Sequence, residues 1–182
     1  MPSTKNLLLL IWGGTIALIA IALYMQYFMD LIPCALCMTQ RVFVIAVGVV
    51  ALIAWLHIFL KQRASSADEI KDSPVASISK AGIRTYSILG MLMALIGSAF
   101  SMRHLWLQSL PEDLAPACGP SLSYLLDTVP LFEALTVLLQ GDGNCAETSW
   151  SLLGITIPGW TLVAFAGLFL INAFIFYRGD RS

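Results

Sequence analysis

Charge is what this chain has least of. Its 182 residues include 10 Lys or Arg and 11 Asp or Glu, so charged residues make up 12% where a soluble domain carries about 25%. Histidine occurs twice and cysteine four times. Dinucleotide-binding GxGxxG runs, a second CxxC, paired zinc-ligand histidines and the haem-attachment CxxCH are all missing, since Met38 follows Cys37. What fills the space is apolar: 58% of residues are hydrophobic. A soluble fold of this length could not hide so much apolar surface. The composition therefore excludes a water-soluble enzyme, a disordered chain and a nucleic-acid binder, and makes lipid the solvent for much of the protein.

A bilayer core about 30 Å thick is crossed by about 20 apolar residues of helix. Four segments reach that length, at about 7–28, 38–60, 85–102 and 158–177. They predict an all-α membrane protein, a single domain over residues 1–182 built as a four-transmembrane-helix bundle. The first segment is read as a retained span. A signal peptide cleaved after Ala20-Ile21-Ala22 would not need an apolar run continuing to Phe28. Lys5, Lys61, Arg63, Lys71, Lys80, Arg84, Arg178 and Arg181 flank the termini or the 61–84 connection, and Arg41 and Arg103 fall on the opposite side. By the positive-inside rule both termini and the 61–84 loop are expected in the cytoplasm, with loops 29–37 and 103–157 outside. Within the second outer loop, Glu133, Thr136 and Gln140 form one polar stripe over 131–140, which predicts a short helix lying at the membrane interface.

All four cysteines, Cys34, Cys37, Cys118 and Cys145, fall on the outer side. An even number in an oxidising space admits three pairings. Two structural bridges are one reading: a Cys118–Cys145 bridge would stabilise by about 3.5 kcal/mol on the chain-entropy model. Cys34-Ala35-Leu36-Cys37 fits that reading poorly, because a bridge across so few residues removes almost no chain entropy. A CxxC pair more often does redox work or binds metal, and the metal alternative needs further ligands that no neighbouring motif supplies. Pro33 precedes the pair and the second span begins at or just after Cys37, so helix N–H groups and the helix dipole can stabilise a thiolate there. Arg41 stands one turn further on the same face, and an arginine inside a span marks a functional site. A thiol pair that must be reoxidised at the mouth of a lipid-embedded bundle has a membrane-soluble electron sink in quinone. His57 reads as interfacial, Trp150 and Trp160 as interface anchors, and Gly90 with Ala94 as a point of close helix approach.

Pro33-Cys34-Ala35-Leu36-Cys37-Met38-Thr39-Gln40-Arg41 resembles the first outer loop of the disulfide bond formation protein B (DsbB) family. The likeness extends through His104 and Gln108, Cys118, Gly143-Asn144-Cys145-Ala146-Glu147, Trp150, Gly154 and Pro158-Gly159-Trp160, and covers nearly the whole chain in order. It implies a protein-dithiol:quinone oxidoreductase of the bacterial inner membrane that reoxidises a periplasmic DsbA-type thiol oxidase. Such oxidases are strongly oxidising, at about −120 mV, so a high-potential acceptor such as ubiquinone or menaquinone fits. The resemblance also assigns roles. Cys118 and Cys145 would form the disulfide that meets the partner, Cys118 taking the mixed disulfide and Cys145 then exchanging with Cys34. Cys37 would form the thiolate adduct with quinone. Arg41 would bind or polarise the quinone, with His104 and Gln108 nearby. Gln40 departs from the family pattern, in which an acidic residue would precede Arg41, so the resemblance carries over Arg41 itself but not its local tuning. The competing reading is a structural tetraspan protein whose outer-loop disulfides only brace the fold.

Overall fold

In a computed structural model of the chain, the described residues are 3–31, 33–66, 80–111, 128, 130, 133, 145 and 150–179. They form four long helices: α1 (Thr4–Phe28), α2 (Ala35–Ser66), α3 (Lys80–Gln108) and α4 (Ile157–Gly179). Each contains an apolar stretch of 22 to 27 residues, long enough to cross a membrane. Side chains such as Leu10, Ile21, Val42, Leu60 and Leu170 are about 60% exposed or more. Left bare in water they would be strongly unfavourable, and lipid is the solvent they suit. The protein is a multi-pass, four-helix membrane protein.

The helices pack in chain order. α2 lies along α1, α3 along α2 and α4 along α3, whereas α1 and α4 meet only lightly. Ile11, Val47, Ala51, Ala54, Ala94, Phe165, Leu168 and Ile175 form one continuous core between them. Small residues let the backbones come close. A Cβ at Gly90 would sit 2.5 Å from Asn172 Oδ1, as the close approach expected at Gly90 and Ala94 requires, and one at Gly97 would sit 2.3 Å from Phe165 Cζ. Three of the buried polar side chains in the spans are satisfied by their own helices: Thr15 Oγ1 donates to the Trp12 carbonyl, Ser101 Oγ to the Gly97 carbonyl and Asn172 Nδ2 to the Leu168 carbonyl.

All four helices reach beyond the spans drawn from hydropathy, and two of the extensions matter for the site. α2 starts at Ala35, three residues before the expected Met38, so Cys37 is helical. α3 continues six residues past Met102, because Ser101, His104 and Leu107 keep repeating every third residue on its buried face. Arg103, His104 and Gln108 lower the hydropathy there without interrupting the helix. Between α1 and α2 the chain turns sharply. Asp30 takes the left-handed conformation (φ 51°) and the Leu31 N–H donates back to the Met25 carbonyl at 3.3 Å.

Ahead of α4 the structure adds a small antiparallel hairpin that the helical reading did not contain. β1 (Ser151–Leu152) pairs with β2 (Ile155–Thr156), with Leu152 opposite Ile155. Its two-residue turn puts both Leu153 (φ 55°) and Gly154 (φ 78°) at positive φ, the conformation that matches the right-handed twist of the strands. The interfacial helix expected over 131–140 lies outside the described residues apart from Glu133, which is exposed, and Cys118 also lies outside them.

The packing makes a direct prediction. Phe165 is fully buried and has no room to yield, so Gly97→Ala is expected to lower stability by about 1–3 kcal/mol. Nothing lies within 4 Å of a Cβ built at Gly13, and Gly13→Ala should match or slightly exceed the parent. Thermal unfolding in detergent micelles checks both.

Candidate functional site

The start of α2 sets the geometry. The Met38 N–H donates to the Cys34 carbonyl at 3.1 Å, so Cys34 stands at the cap and Cys37 in the first helical turn. α3 approaches this turn from the other side and inserts His104, which is 3% exposed. Its Nε2 lies 3.8 Å from Cys34 Sγ and its Nδ1 lies 4.0 Å from Cys37 Sγ. One imidazole thus bridges the sulfurs of the CxxC pair. A neutral ring carries one N–H and one lone pair, which suits one thiolate and one thiol.

Gln40, also 3% exposed, places its amide nitrogen 3.4 Å from His104 Nδ1. As an N–H donor to that lone pair it leaves the ring proton on Nε2, facing Cys34. The residue that departs from the family pattern thus has its partner in the histidine. Cys145 is fully buried with Leu36, Phe100 and Leu107, and Cys34 packs against this same cluster. Of the four cysteines, the three in the described residues converge on one end of the bundle.

Arg41 points the other way, across to α1. Its Nη1 donates to Gln26 Oε1 and its Nη2 to the Ala22 carbonyl at 3.2 Å, with Met38 Sδ 3.8 Å from Nη1. Gln26 was not among the residues singled out from sequence, although a lone amide near the end of an otherwise apolar span was the available signal. Because α1 and α4 hardly touch, a cavity of about 450 Å³ opens between them, with α2 and α3 as its floor. Cys34, Cys37, His104, Gln40 and Arg41 all line it, and Leu18, Ile19, Met25 and Val163 give it apolar walls. Gln108 lines it too, its Oε1 accepting from Thr156 Oγ1 at 2.8 Å and so tying the hairpin to α3. Trp150 and Trp160 face the cavity, a placement that the interface-anchor reading leaves out. Trp160 Nε1 also donates to the Leu152 carbonyl at 3.3 Å. His57 sits apart from all of this, paired with the Tyr86 hydroxyl at 3.1 Å.

Fold and site together define a class: a four-helix membrane protein with a dithiol–imidazole centre opening onto an apolar cavity that also holds a guanidinium. The family follows from comparison with known proteins. The model for "Disulfide bond formation protein DsbB" matches residues 4–175. A disulfide bond formation protein B from Saccharophagus degradans is 46% identical over 172 residues, covering 94% of this chain and 92% of that protein. Those of Hahella chejuensis (43% identical, 90% and 88% covered) and Methylococcus capsulatus (38%, 100% and 99%) are similar along their lengths. The chain belongs to the DsbB family.

The bridging ring predicts a change in thiol chemistry. His104→Leu keeps the site filled but removes both nitrogens. Losing one N–H contact to an ionised sulfur, about 1.5–3 kcal/mol, should slow iodoacetamide alkylation of reduced Cys34 and Cys37 roughly tenfold or more. Time-resolved mass spectrometry of the labelled peptides measures it, and an unchanged rate would detach the ring from thiol reactivity.

Proposed function

We propose that this protein generates disulfides by passing electrons from a periplasmic DsbA-type dithiol through its own cysteines to a membrane quinone, ubiquinone or menaquinone. The observation that carries the reading is the shared cavity: the CxxC sulfurs, the imidazole and Arg41 line one apolar space within the bundle. A volume of about 450 Å³ with mostly hydrocarbon walls and a few convergent polar groups suits a ring of that kind. A bound quinone would supply a sink for two electrons and two protons. The proposed setting is the bacterial inner membrane, with the cysteines on the periplasmic side and both termini in the cytoplasm, as the Lys and Arg distribution favours.

The chain's own residues then account for the transfer. A partner thiolate attacks Cys118 of a Cys118–Cys145 disulfide, a partner–Cys118 bond forms and Cys145 leaves as thiolate. Closure of the partner's own disulfide releases Cys118. Cys145 attacks Cys34 of the Cys34–Cys37 disulfide, the Cys145–Cys34 bond forms and Cys37 leaves as thiolate. The common apolar cluster of Cys34 and Cys145 favours that exchange. Attack of Cys118 on Cys145 restores their bridge and frees Cys34, and the Cys34–Cys37 bond re-forms as the electron pair departs. His104, between the two sulfurs, donates Nε2–H to one and takes a proton from the other at Nδ1, carrying protons between pair and cavity. Arg41, braced by Gln26 and the Ala22 carbonyl, has N–H donors left to face negative charge developing on an acceptor. A disulfide that merely braced the fold would need neither an imidazole between its sulfurs nor a cavity beside them.

The test is anaerobic reduction of purified quinone by a DsbA-type dithiol, followed by quinone absorbance with and without this protein. Turnover is expected with the parent and is expected to vanish in Cys37→Ser. Arg41→Ala should raise the quinone KM at least tenfold while the Cys118–Cys145 pair still reacts with partner. In Cys145→Ser a mixed disulfide between Cys118 and the partner should accumulate on non-reducing gels. Normal steady-state turnover in Cys37→Ser would overturn the assignment.

A further inference from the structure

The CxxC pair lacks metal-ligand neighbours in sequence, yet the fold provides one. Cys34 Sγ, Cys37 Sγ and a ring nitrogen of His104 all lie within 4.8 Å of one another. We propose that the reduced form of this protein binds a thiophilic divalent cation of the zinc and cadmium class at these three residues, and that the bound cation arrests the thiols.

The geometry is close to what such an ion requires. Zn–S bonds of about 2.3 Å and Zn–N bonds of about 2.0–2.1 Å put tetrahedral ligand atoms roughly 3.5–3.8 Å apart. Cys34 Sγ and His104 Nε2 already stand 3.8 Å apart. Cys37 Sγ, in the first turn of α2, lies within 4.8 Å of the other two ligand atoms, at most about an ångström beyond the tetrahedral separation. Two sulfurs and an imidazole form a soft donor set, and among the described residues no carboxylate belongs to it, which disfavours magnesium and calcium. The second nitrogen of the ligating ring also has its partner. With Nε2 on the metal, Nδ1 carries the proton, and the Gln40 amide beside it can turn its oxygen to accept. Three protein ligands leave a fourth position facing the cavity, where a water completes the tetrahedron and through which the ion enters. Binding displaces the two thiol protons, and a Cys34–Cys37 disulfide has no thiolates to offer, so the site exists in the reduced form alone. The arrest of turnover rests on the proposed dithiol-to-quinone function; the binding itself does not.

Cobalt(II) added to the reduced, quinone-free protein in detergent, with no partner present, tests the binding. Expected are a sulfur-to-cobalt charge-transfer band and tetrahedral ligand-field bands saturating at about one equivalent and abolished by zinc. The oxidised parent, which needs no substitution and so no assumption about folding, should give neither. His104→Ala should weaken binding about tenfold or more, and Cys118→Ser/Cys145→Ser should retain the bands. Zinc should slow electron transfer from dithiol to quinone, and a chelator should restore it. Absence of the charge-transfer band in the reduced parent overturns the proposal. So do bands that survive Cys34→Ser/Cys37→Ser but disappear in Cys118→Ser/Cys145→Ser. A protein that reduces quinone yet leaves cobalt spectroscopically free refutes the metal site alone; one that binds cobalt as described yet never reduces quinone refutes the electron-transfer function alone.

Discussion

One imidazole held between two sulfurs is the constraint around which this end of the bundle is built. For His104 to reach both Cys34 and Cys37, α2 must begin at the CxxC pair and α3 must continue well past its most apolar stretch. Neither condition is free. The first leaves helix N–H groups without intrahelical partners at the membrane boundary, and the second carries a histidine into a nearly sealed interior. Each resolves the other: the sulfurs receive the helix end and the ring, and the ring receives sulfurs and the Gln40 amide as partners. A buried polar network of this kind is stable only when all its members are satisfied, which ties the packing of α2 against α3 to the chemistry of the site.

The serial packing of the helices does the remaining work. A fully closed bundle would bring α4 against α1 and fill the space beside the cysteines. Here α4 leans on α3 and α1 on α2, and the light contact between the outer pair leaves a cleft whose floor is the dithiol centre. The hairpin ahead of α4 roofs one side. Its attachment through Thr156 to Gln108, and the Trp160 bond to Leu152, hold the wall in place without closing it. Helix order thus determines access, and the cavity is a consequence of the fold before it is a property of any one residue.

Much of this was legible in the sequence, for reasons that can be stated. Four apolar runs separated by polar or proline-containing segments leave few alternatives to four spans, and the CxxC pair advertises its own chemistry. Individual helix ends were less legible. Hydropathy stops at Met102 because Arg103 and His104 are polar, yet the buried repeat of Ser101, His104 and Leu107 shows that helical packing outlasts apolarity. The meeting of His104 with Cys34 bridges 70 positions and could only be inferred through family likeness. Gln40 was noticed as an oddity beside Arg41, but adjacency in sequence puts consecutive residues on different faces of a helix, and its side chain goes to the histidine instead. The hairpin escaped because its strands are two residues each, too short for alternation to register, and its turn places Leu153 where glycine or asparagine is usual.

Arg41 shows how the membrane turns a cost into a marker of function. Insertion scales put an arginine at about 2.5–3.5 kcal/mol at the helix centre, an upper bound for Arg41 in the second turn of α2, and hydrogen bonds to a charged group return about 1.5–3 kcal/mol each. Gln26 and the Ala22 carbonyl therefore offset most or all of the expense, and they do so from α1. Those bonds tie the guanidinium to α1 beside the cavity. Charge and thiols consequently line one cavity, the guanidinium anchored to α1 and the sulfurs held against α3. An arginine retained for anchoring alone would snorkel towards the headgroups and leave Gln26 without a purpose. The pairing of two polar side chains from different helices fixes a positive charge at the edge of a mostly apolar cleft, which is what the proposed transfer to an acceptor that gains negative charge would call for.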